Sequence, residues 1–364
     1  MRAFAFVLAR NRLTRTAAER GPVLSGECGQ GSGFQIAHAC VLRARPGWAH
    51  SNLVCLRDTG TDLPYAVEPM DTRATLRLGH SPDPDDAFMW WPLLELDGQA
   101  PRVVSSRFRI EAVPADIEAL NQRAMRGDDL LEISAFSCAT YPRIAAHYAL
   151  TACGSSVGDG YGPKVVARAP RTVESLRGAH IAIPGQGTTA FMVTSLLLGP
   201  GTFRATVVPF KEIPARVAAG EFDAGVVIHE GQLTFADEGL VLVEDLGRWW
   251  HSQYGLPLPL GANGVLRALD ERHGAGTMQE VAALLEQSVR YALSHREESI
   301  RYALTFAEGM TTALADEFIG MYVNSWTLDY GPTGRLAVRT LLERAADAGL
   351  LPRVEAPEFV GGAQ

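Results

Sequence analysis

Short apolar segments with strand character alternate with amphipathic helical segments along most of the chain. The apolar runs predict strands at residues 75–80, 108–113, 130–134, 164–169, 180–185, 204–210, 224–229 and 261–269. An apolar helix with Asp85 or Asp86 as its N-cap is expected after the first strand. Beyond residue 269 only helical periodicity remains, at residues 278–294, 297–306, 313–323 and 334–348. This alternation is typical of an α/β protein with parallel or mixed sheets.

The length of 364 residues favours two lobes over a single core. We expect the chain to cross to a second lobe near residue 175 and to return near residue 268. The first lobe then comprises residues 74–175 and 269–364, with the helical tail packed on it, and the second comprises residues 176–268. A cleft between the lobes is the expected ligand site.

Residues 1–69 are a different kind of sequence. They carry more arginine than acidic residues, a GECGQGSG patch and no lasting apolar periodicity. We expect a poorly ordered N-terminal extension, explained by a mis-assigned upstream start codon. The apolar stretch AFAFVLA is too short for a secretory signal.

Charge and composition exclude several classes of partner. The chain has 33 basic against 41 acidic residues and a net charge of −8, which argues against a nucleic-acid surface. No apolar run reaches the roughly 18 residues of a membrane-spanning helix, so no membrane partner is expected. The five cysteines include no CxxC pair, so neither a disulfide framework nor a zinc site is indicated. A reducing, cytoplasmic compartment fits best, and the oligomeric state stays open.

His229 follows an apolar strand, so its imidazole is expected at the rim of a sheet. There a histidine can act as a base near neutral pH. A structural histidine that is hydrogen-bonded at a strand end fits the same position. The HExxH zinc motif would need a second histidine where Leu233 stands, so no metal is predicted.

The loop GQGTTAF joins a strand to a helix. Thr188 and Thr189 can present hydroxyls and free backbone amides to an anion there, and a carboxylate would suit this site. Simple N-capping of the helix by threonine is the alternative. The loop lacks the lysine and the third glycine of nucleotide-binding loops, so no nucleotide cofactor is predicted.

Two further loops place polar side chains at strand ends. The segment SPDPDD offers Ser81 and Asp86 to the cleft, although solvated acids capping a helix would look the same. The segment ISAFSCATY carries Ser134 and Ser137 without the GxSxG pattern of serine hydrolases.

Seven motifs occur in an order that resembles a known family: SPDPDDAF, GYGPKVVAR, PGQGTTAF, VVIHEGQLTF, DLGRWW, GLPLPLGAN and YVNSWTLDYG. They are similar to the 1,4-dihydroxy-6-naphthoate synthases of the futalosine route to menaquinone, over about residues 74–350. The resemblance implies a fold like the type II periplasmic binding proteins, with two α/β lobes about a hinge. It also implies a cytoplasmic lyase without a cofactor, which cleaves cyclic dehypoxanthinyl futalosine to the aromatic 1,4-dihydroxy-6-naphthoate.

The resemblance also implies roles for individual residues. His229 would be the general base that removes a substrate proton, with Glu230 orienting it. A small-molecule substrate with a carboxylate would be clamped at the helix N-terminus by Thr188, Thr189 and Ala190. A strand end in the first lobe would contact the substrate through Ala135, Phe136 and Ser137, or through Ser134 in the other alignment.

The opening motif departs from the common form of this family. Asp83, Asp85 and Ala87 stand where the family has Cys, Asn and Thr.

Two other functions share the expected fold: a non-catalytic solute-binding protein and chorismate dehydratase of the same pathway. A solute binder would not need a positioned histidine base, and the IHE and GLPLPLG motifs speak against the dehydratase.

Overall fold

The structure, a computed structural model, describes residues 71–307 and 310–362. From Arg73 onward the chain forms one compact unit. The extension predicted for residues 1–69 lies outside the described residues.

Strands and helices alternate through the first two thirds of this unit, as the apolar pattern predicts. The strands are β1 (Ala74–His80), β2 (Phe108–Pro114), β3 (Ile133–Ser137), β4 (Tyr148–Thr151), β5 (Ser156–Gly158), β6 (Lys164–Ala167), β7 (His180–Ile183), β8 (Arg204–Val207), β9 (Ala224–Val227), β10 (Val241–Asp245), β11 (Leu258–Leu266) and β12 (Phe359–Val360). The helices are α1 (Pro84–Trp90), α2 (Ile117–Arg126), α3 (Tyr141–Ile144), α4 (Thr189–Leu198), α5 (Ile213–Ala218), α6 (Gly231–Thr234), α7 (Leu246–Tyr254), α8 (Ala268–His273), α9 (Thr277–Ser294), α10 (Arg296–Ala303), α11 (Thr312–Tyr322), α12 (Ser325–Leu328) and α13 (Gly331–Asp347). Single turns of 3-10 helix lie at Trp91–Leu93, Cys138–Thr140, Glu174–Leu176, Phe210–Glu212 and Phe235–Glu238.

The strands form two mixed sheets, one in each lobe. The first has the order β12-β4-β11-β3-β1-β2, and β5 pairs with the N-terminal part of β11, from Leu258 to Gly261. In it β1 runs parallel to β2 and β3, whereas β11 runs antiparallel to β3, β4 and β5. The second sheet has the order β10-β6-β9-β7-β8, with β7 parallel to β8 and β9. The predicted α/β class with mixed sheets is confirmed.

The chain changes sheets at different points from those expected. Because β6 pairs with β9 and β10, the crossing lies between residues 158 and 164 rather than near residue 175. Because β11 belongs to the first sheet, the return lies between residues 245 and 258 rather than near residue 268. A buried strand is a continuous apolar run in the sequence whichever sheet it joins, so the apolar pattern cannot assign a strand to one sheet or the other.

The first helix begins earlier than predicted. It starts at Pro84 with Asp83 as its N-cap, so the predicted N-cap at Asp85 or Asp86 is wrong. Proline is favoured at the first helical position because its fixed φ suits a helix and its missing N–H would be unpaired there. Asp85 and Asp86 therefore lie in the first turn of a helix that is buried along its whole length.

The strand predicted at residues 130–134 begins only at Ile133, because the preceding residues anchor β1 instead. The carboxylate of Glu132 accepts hydrogen bonds from the backbone N–H and the Nε of Arg77, at 3.0 and 2.9 Å. The Arg77 guanidinium also donates to the carbonyl of Leu130 at 2.6 Å. These bonds hold β1 beside the residues that precede β3.

The C-terminal helices pack on the first lobe, as the sequence predicts. Helices α9 and α13 cover β11, and α9, α10 and α11 enclose α1. The short strand β12, which adds to β4 in parallel, was not predicted because two residues carry no periodic signal. Within residues 71–307 and 310–362, no helix is long and apolar enough to cross a membrane.

Candidate functional site

A cleft lies where the two lobes meet, and it collects the ends of several strands. Its polar lining comprises Ser81, Asp83, Asp85, Asp86, Ser137, Ser156, Thr188, Thr189, His229, Gln232, Asn263 and Tyr322. Ala135, Phe136, Ala190, Ile228 and Phe318 are among its apolar walls. Two of the residues singled out from the sequence, Ser134 and Glu230, do not line it.

His229 stands in a turn just beyond the end of β9, with a backbone φ of +52°. This left-handed conformation is uncommon for a residue with a side chain, and where it persists the surroundings must hold it. The His229 carbonyl accepts from the backbone N–H of Gln232 at 3.1 Å, which closes the turn. The imidazole ring lies 4.5 Å from the ring of Phe210 and 6.5 Å from that of Phe318, centre to centre.

The two ring nitrogens of His229 have different surroundings. Nδ1 lies 3.2 Å from Oδ2 of Asp83, which comes from the opposite lobe. Nε2 is buried and has no hydrogen-bond partner among the described residues. A buried nitrogen without a partner is costly in a folded protein, so it marks a place where a ligand group can supply the missing contact.

Three buried carboxyl groups lie side by side in the cleft, and each has a hydrogen-bond donor nearby. The Ser81 hydroxyl donates to Asp83, and the Ser81 backbone N–H donates to Oδ2 of Asp86 at 2.7 Å. The Ser156 hydroxyl donates to Oδ2 of Asp85 at 3.2 Å. The side chain of Asp83 makes no capping bond to α1, because it is directed to Ser81 and His229 instead.

Burial raises the pKa of all three carboxyl groups. For Asp83 the neighbouring His229 and the Ser81 hydroxyl oppose this rise. For Asp85 and Asp86 a second carboxylate nearby adds to the rise, and the pKa of Asp86 is raised well above its usual range. These raised pKa values favour the neutral acids over the carboxylates, which reduces the repulsion that an anionic ligand would meet in the cleft.

The N-terminus of α4 opens onto the cleft, as predicted, but its threonine hydroxyls already have partners. Thr188 is the N-cap: its hydroxyl accepts from the N–H of Phe191 at 3.2 Å and donates to the carbonyl of Gly185 at 2.8 Å. The Thr189 hydroxyl accepts from the N–H of Ala139 at 3.2 Å and donates to the carbonyl of Leu260 at 2.8 Å. Thr189 thus ties the second lobe to the first, and the donors left for a ligand are the first amides of the helix.

Ser137, rather than Ser134, reaches the cleft. Asn121 holds Ser137 in place, because its carbonyl accepts from the Ser137 N–H at 2.8 Å and its amide donates to the Ser137 hydroxyl at 3.1 Å. The Ser134 hydroxyl donates to the backbone carbonyl of Ala135 at 3.0 Å and stays outside the lining. The same Asn121 amide donates to Glu118 at 3.1 Å.

Several lining residues were missed by the sequence analysis. The hydroxyl of Tyr322 donates to the side chain of Gln232 at 2.7 Å, which joins α11 to the turn that carries His229. The amide of Asn263 donates to the carbonyl of Gly154 at 2.6 Å, and its side-chain oxygen is buried without a partner among the described residues. All three stand inside motifs of the family resemblance, but no local pattern showed that they point into the cleft.

The comparison with known protein families decides what this chain is. A family model described as menaquinone biosynthesis matches residues 76–347. The chain belongs to this family. The match covers every strand except β12 and the first two residues of β1. It also includes every residue of the cleft named above, so the family assignment includes the candidate site.

Two members of the menaquinone biosynthesis family are similar over nearly their whole length. The 1,4-dihydroxy-6-naphthoate synthase of Thermus thermophilus is 37% identical over 285 residues, which cover 78% of this chain and 99% of that enzyme. The synthase of Streptomyces coelicolor is 36% identical over 282 residues, covering 76% of this chain and 95% of that enzyme. The resemblance inferred from the motifs is confirmed, and the chain is an enzyme of menaquinone biosynthesis.

Solved structures agree with the predicted fold. A protein of Archaeoglobus fulgidus is 37% identical with a TM-score of 0.69, covering 76% of this chain and 98% of that one. The alkanesulfonate-binding protein of Xanthomonas axonopodis has a TM-score of 0.55 at 16% identity, covering 77% of this chain and 95% of that one. At that identity the likeness shows the fold alone, and it confirms the periplasmic-binding-protein-like architecture.

Proposed function

We propose that this enzyme is a carbon–carbon lyase that converts cyclic dehypoxanthinyl futalosine to 1,4-dihydroxy-6-naphthoate, with His229 as general base. The observation that carries the proposal is the imidazole of His229: Nδ1 faces Asp83, while Nε2 is buried beside the cleft and has no partner among the described residues. A base needs a free lone pair within reach of the substrate proton. The names of the two similar synthases support the choice of product.

In the proposed reaction Nε2 of His229 takes a proton from the substrate, a carbon–carbon bond breaks and the sugar-derived portion leaves. Formation of the aromatic naphthoate makes this fragmentation favourable. The imidazolium that forms faces the Asp83 carboxyl at 3.2 Å, so an acidic group lies where the positive charge develops. No metal or organic cofactor is required for these steps.

We propose that the substrate carboxylate binds at the N-terminus of α4. No lysine or arginine is among the described residues that line the cleft, so neutral donors must recognise an anion there. The first amides of an α-helix lack partners within the helix and lie at the positive end of its dipole. Thr189, Ala190 and Ser137 surround this position.

The two described cysteines, Cys138 and Cys153, are buried and form no disulfide, which is consistent with a reducing, cytoplasmic location.

The test is incubation of the purified protein with cyclic dehypoxanthinyl futalosine, with product followed by absorbance and mass. His229→Asn is the informative variant, because asparagine tolerates the left-handed backbone at this position. Its rate should fall by about 10²- to 10⁴-fold with substrate binding retained. His251→Asn on the exposed face of α7 is the matched control and should keep the wild-type rate.

Two outcomes would refute the proposal in different ways. If His229→Asn turned over at nearly the wild-type rate, His229 would not be the base. If the wild type released no product but gained thermal stability with the substrate, the protein would bind this compound without being its lyase.

A further inference from the structure

His229 and Asp83 meet across the cleft from opposite lobes. His229 follows β9 of the second sheet, whereas Asp83 lies between β1 of the first sheet and α1, which packs against α9, α10 and α11. The side chains are 16% and 4% exposed, so their 3.2 Å contact is largely shielded from water. An electrostatic interaction in such surroundings is stronger than one at the surface.

The hydrogen bonds of Asp83 determine which nitrogen of His229 carries the proton. Burial raises the pKa of Asp83, and His229 and the Ser81 hydroxyl oppose this rise. Oδ2 of Asp83, the oxygen that faces Nδ1, already accepts a hydrogen bond from the Ser81 hydroxyl. An oxygen that accepts one hydrogen bond can accept a second, so the proton in this contact belongs to Nδ1 of His229. Nε2 then keeps its lone pair, and it is the nitrogen left without a partner among the described residues.

The other contacts of the imidazole restrain the ring without selecting a tautomer. Phe210 and Phe318 lie against it, and the turn closed by Gln232 fixes its backbone. Aromatic contacts hold a ring plane equally well whichever nitrogen is protonated. Among the described residues, the hydrogen-bond acceptor facing the ring nitrogens is therefore Asp83.

We propose that Asp83 is the positioning residue of the base: it holds His229 in the Nδ1–H tautomer and thereby leaves Nε2 free to accept the substrate proton. This inference rests on the proposed function of His229. Because the two residues belong to different lobes, the pair is complete only when the lobes are together, as they are in this structure. The base is then assembled by the same closure that shields the substrate from water.

The first test reads the tautomer directly in the substrate-free protein. The chain has nine histidines, and labelling them with ¹⁵N gives imidazole signals whose shifts distinguish Nδ1–H from Nε2–H. The signals missing from His229→Asn identify His229. At about pH 8, where an ordinary imidazole is neutral, we expect the Nδ1–H form. An Nε2–H form in the wild type would overturn the inference without any variant being needed.

The second test removes the acceptor. Asp83→Ala should convert His229 to a mixture of tautomers and lower kcat roughly 10- to 100-fold, which is less than the loss expected when the general base itself is removed. The KM should stay within about threefold of the wild-type value. Truncation costs α1 no capping bond, since the Asp83 side chain makes none. Asp116→Asn is the matched control: it removes another negative charge that acts on Asp83 but keeps the N-cap of α2, so tautomer and kcat should stay as in the wild type.

The outcomes separate this inference from the proposed function. An unchanged tautomer in Asp83→Ala, or a rise in KM with kcat unchanged, would overturn the role of Asp83 even if His229 is the base. A fully active His229→Asn would remove the proposed function, and the tautomer measurement would still report whether Asp83 orients the ring.

Discussion

Removal of one hydroxyl from the junction of the two lobes should weaken substrate binding without impairing the chemical step. In Thr189→Val the shape of the side chain is kept, but the bonds from Ala139 N–H and to the Leu260 carbonyl are lost. Both bonds join α4 of the second lobe to the first lobe, and Thr189 is 2% exposed. The partners stay buried and unsatisfied while the lobes are together, whereas separation of the lobes would let water reach them.

The size of the effect follows from the number of bonds. Each hydrogen bond contributes a net of about 0.5–1.5 kcal/mol, so the two together stabilise the closed lobes by roughly 1–3 kcal/mol. Since about 1.4 kcal/mol corresponds to a factor of ten in an equilibrium constant, the apparent affinity should fall roughly 5- to 150-fold. The chemical groups around His229 are untouched, so kcat should change little.

The assay is steady-state formation of 1,4-dihydroxy-6-naphthoate together with calorimetric titration of the product. We expect a higher KM and a higher product Kd for Thr189→Val. Thr194→Val is the matched control, because its buried hydroxyl bonds only within α4, to the carbonyl of Ala190 at 2.8 Å. Unchanged KM and Kd in Thr189→Val, or a fall in kcat alone, would refute the reasoning.

Two further predictions concern stability. Burial, and then the neighbouring Asp85, raise the pKa of Asp86 in the folded state. The contribution of Asp86 to stability is therefore fully present below about pH 4, the ordinary pKa of an aspartate, and is lost as the pH rises toward the folded-state pKa. In urea unfolding, the stability of Asp86→Asn relative to the wild type should therefore increase as the pH is raised above about 4, and a pH-independent difference would contradict this. At Gly247 a Cβ would lie 1.9 Å from the carbonyl oxygen of Tyr161, in the segment that joins the two sheets. Gly247→Ala should cost about 1–3 kcal/mol or more in urea unfolding, whereas Gly320→Ala on the exposed face of α11 should gain up to about 1 kcal/mol; equal effects would show that the close approach does not matter.

Much of the site could be anticipated because it lies at strand ends. The apolar run before His229 and the strand–helix junction at Thr188 placed both residues at sheet edges, and the structure brings both to the cleft. Ser81, Asp86 and Ser137 reach it as well. Their roles toward substrate stay predictions, since a position in the lining does not assign a chemical step.

Other features could not be read from neighbours in the chain. The choice between Ser134 and Ser137 depends on Asn121, which comes from a separate helix. The family resemblance implied that Glu230 orients the base, whereas Asp83, more than a hundred residues away in sequence, is the acid that faces Nδ1 of His229. Adjacent residues on a turn point in different directions, so the tertiary structure was needed to show which acid lies beside the imidazole.

The sequence by itself determined the alternation of strands and helices, the helical tail and the family, because periodicity and motif order are properties of contiguous residues. The tertiary structure decided where the chain changes sheets, which serine reaches the cleft and which acid faces the base. It also raised the pKa of the three aspartates, because desolvation depends on what surrounds a group in space. These properties arise from long-range pairing and burial, which come into being only when distant segments pack together.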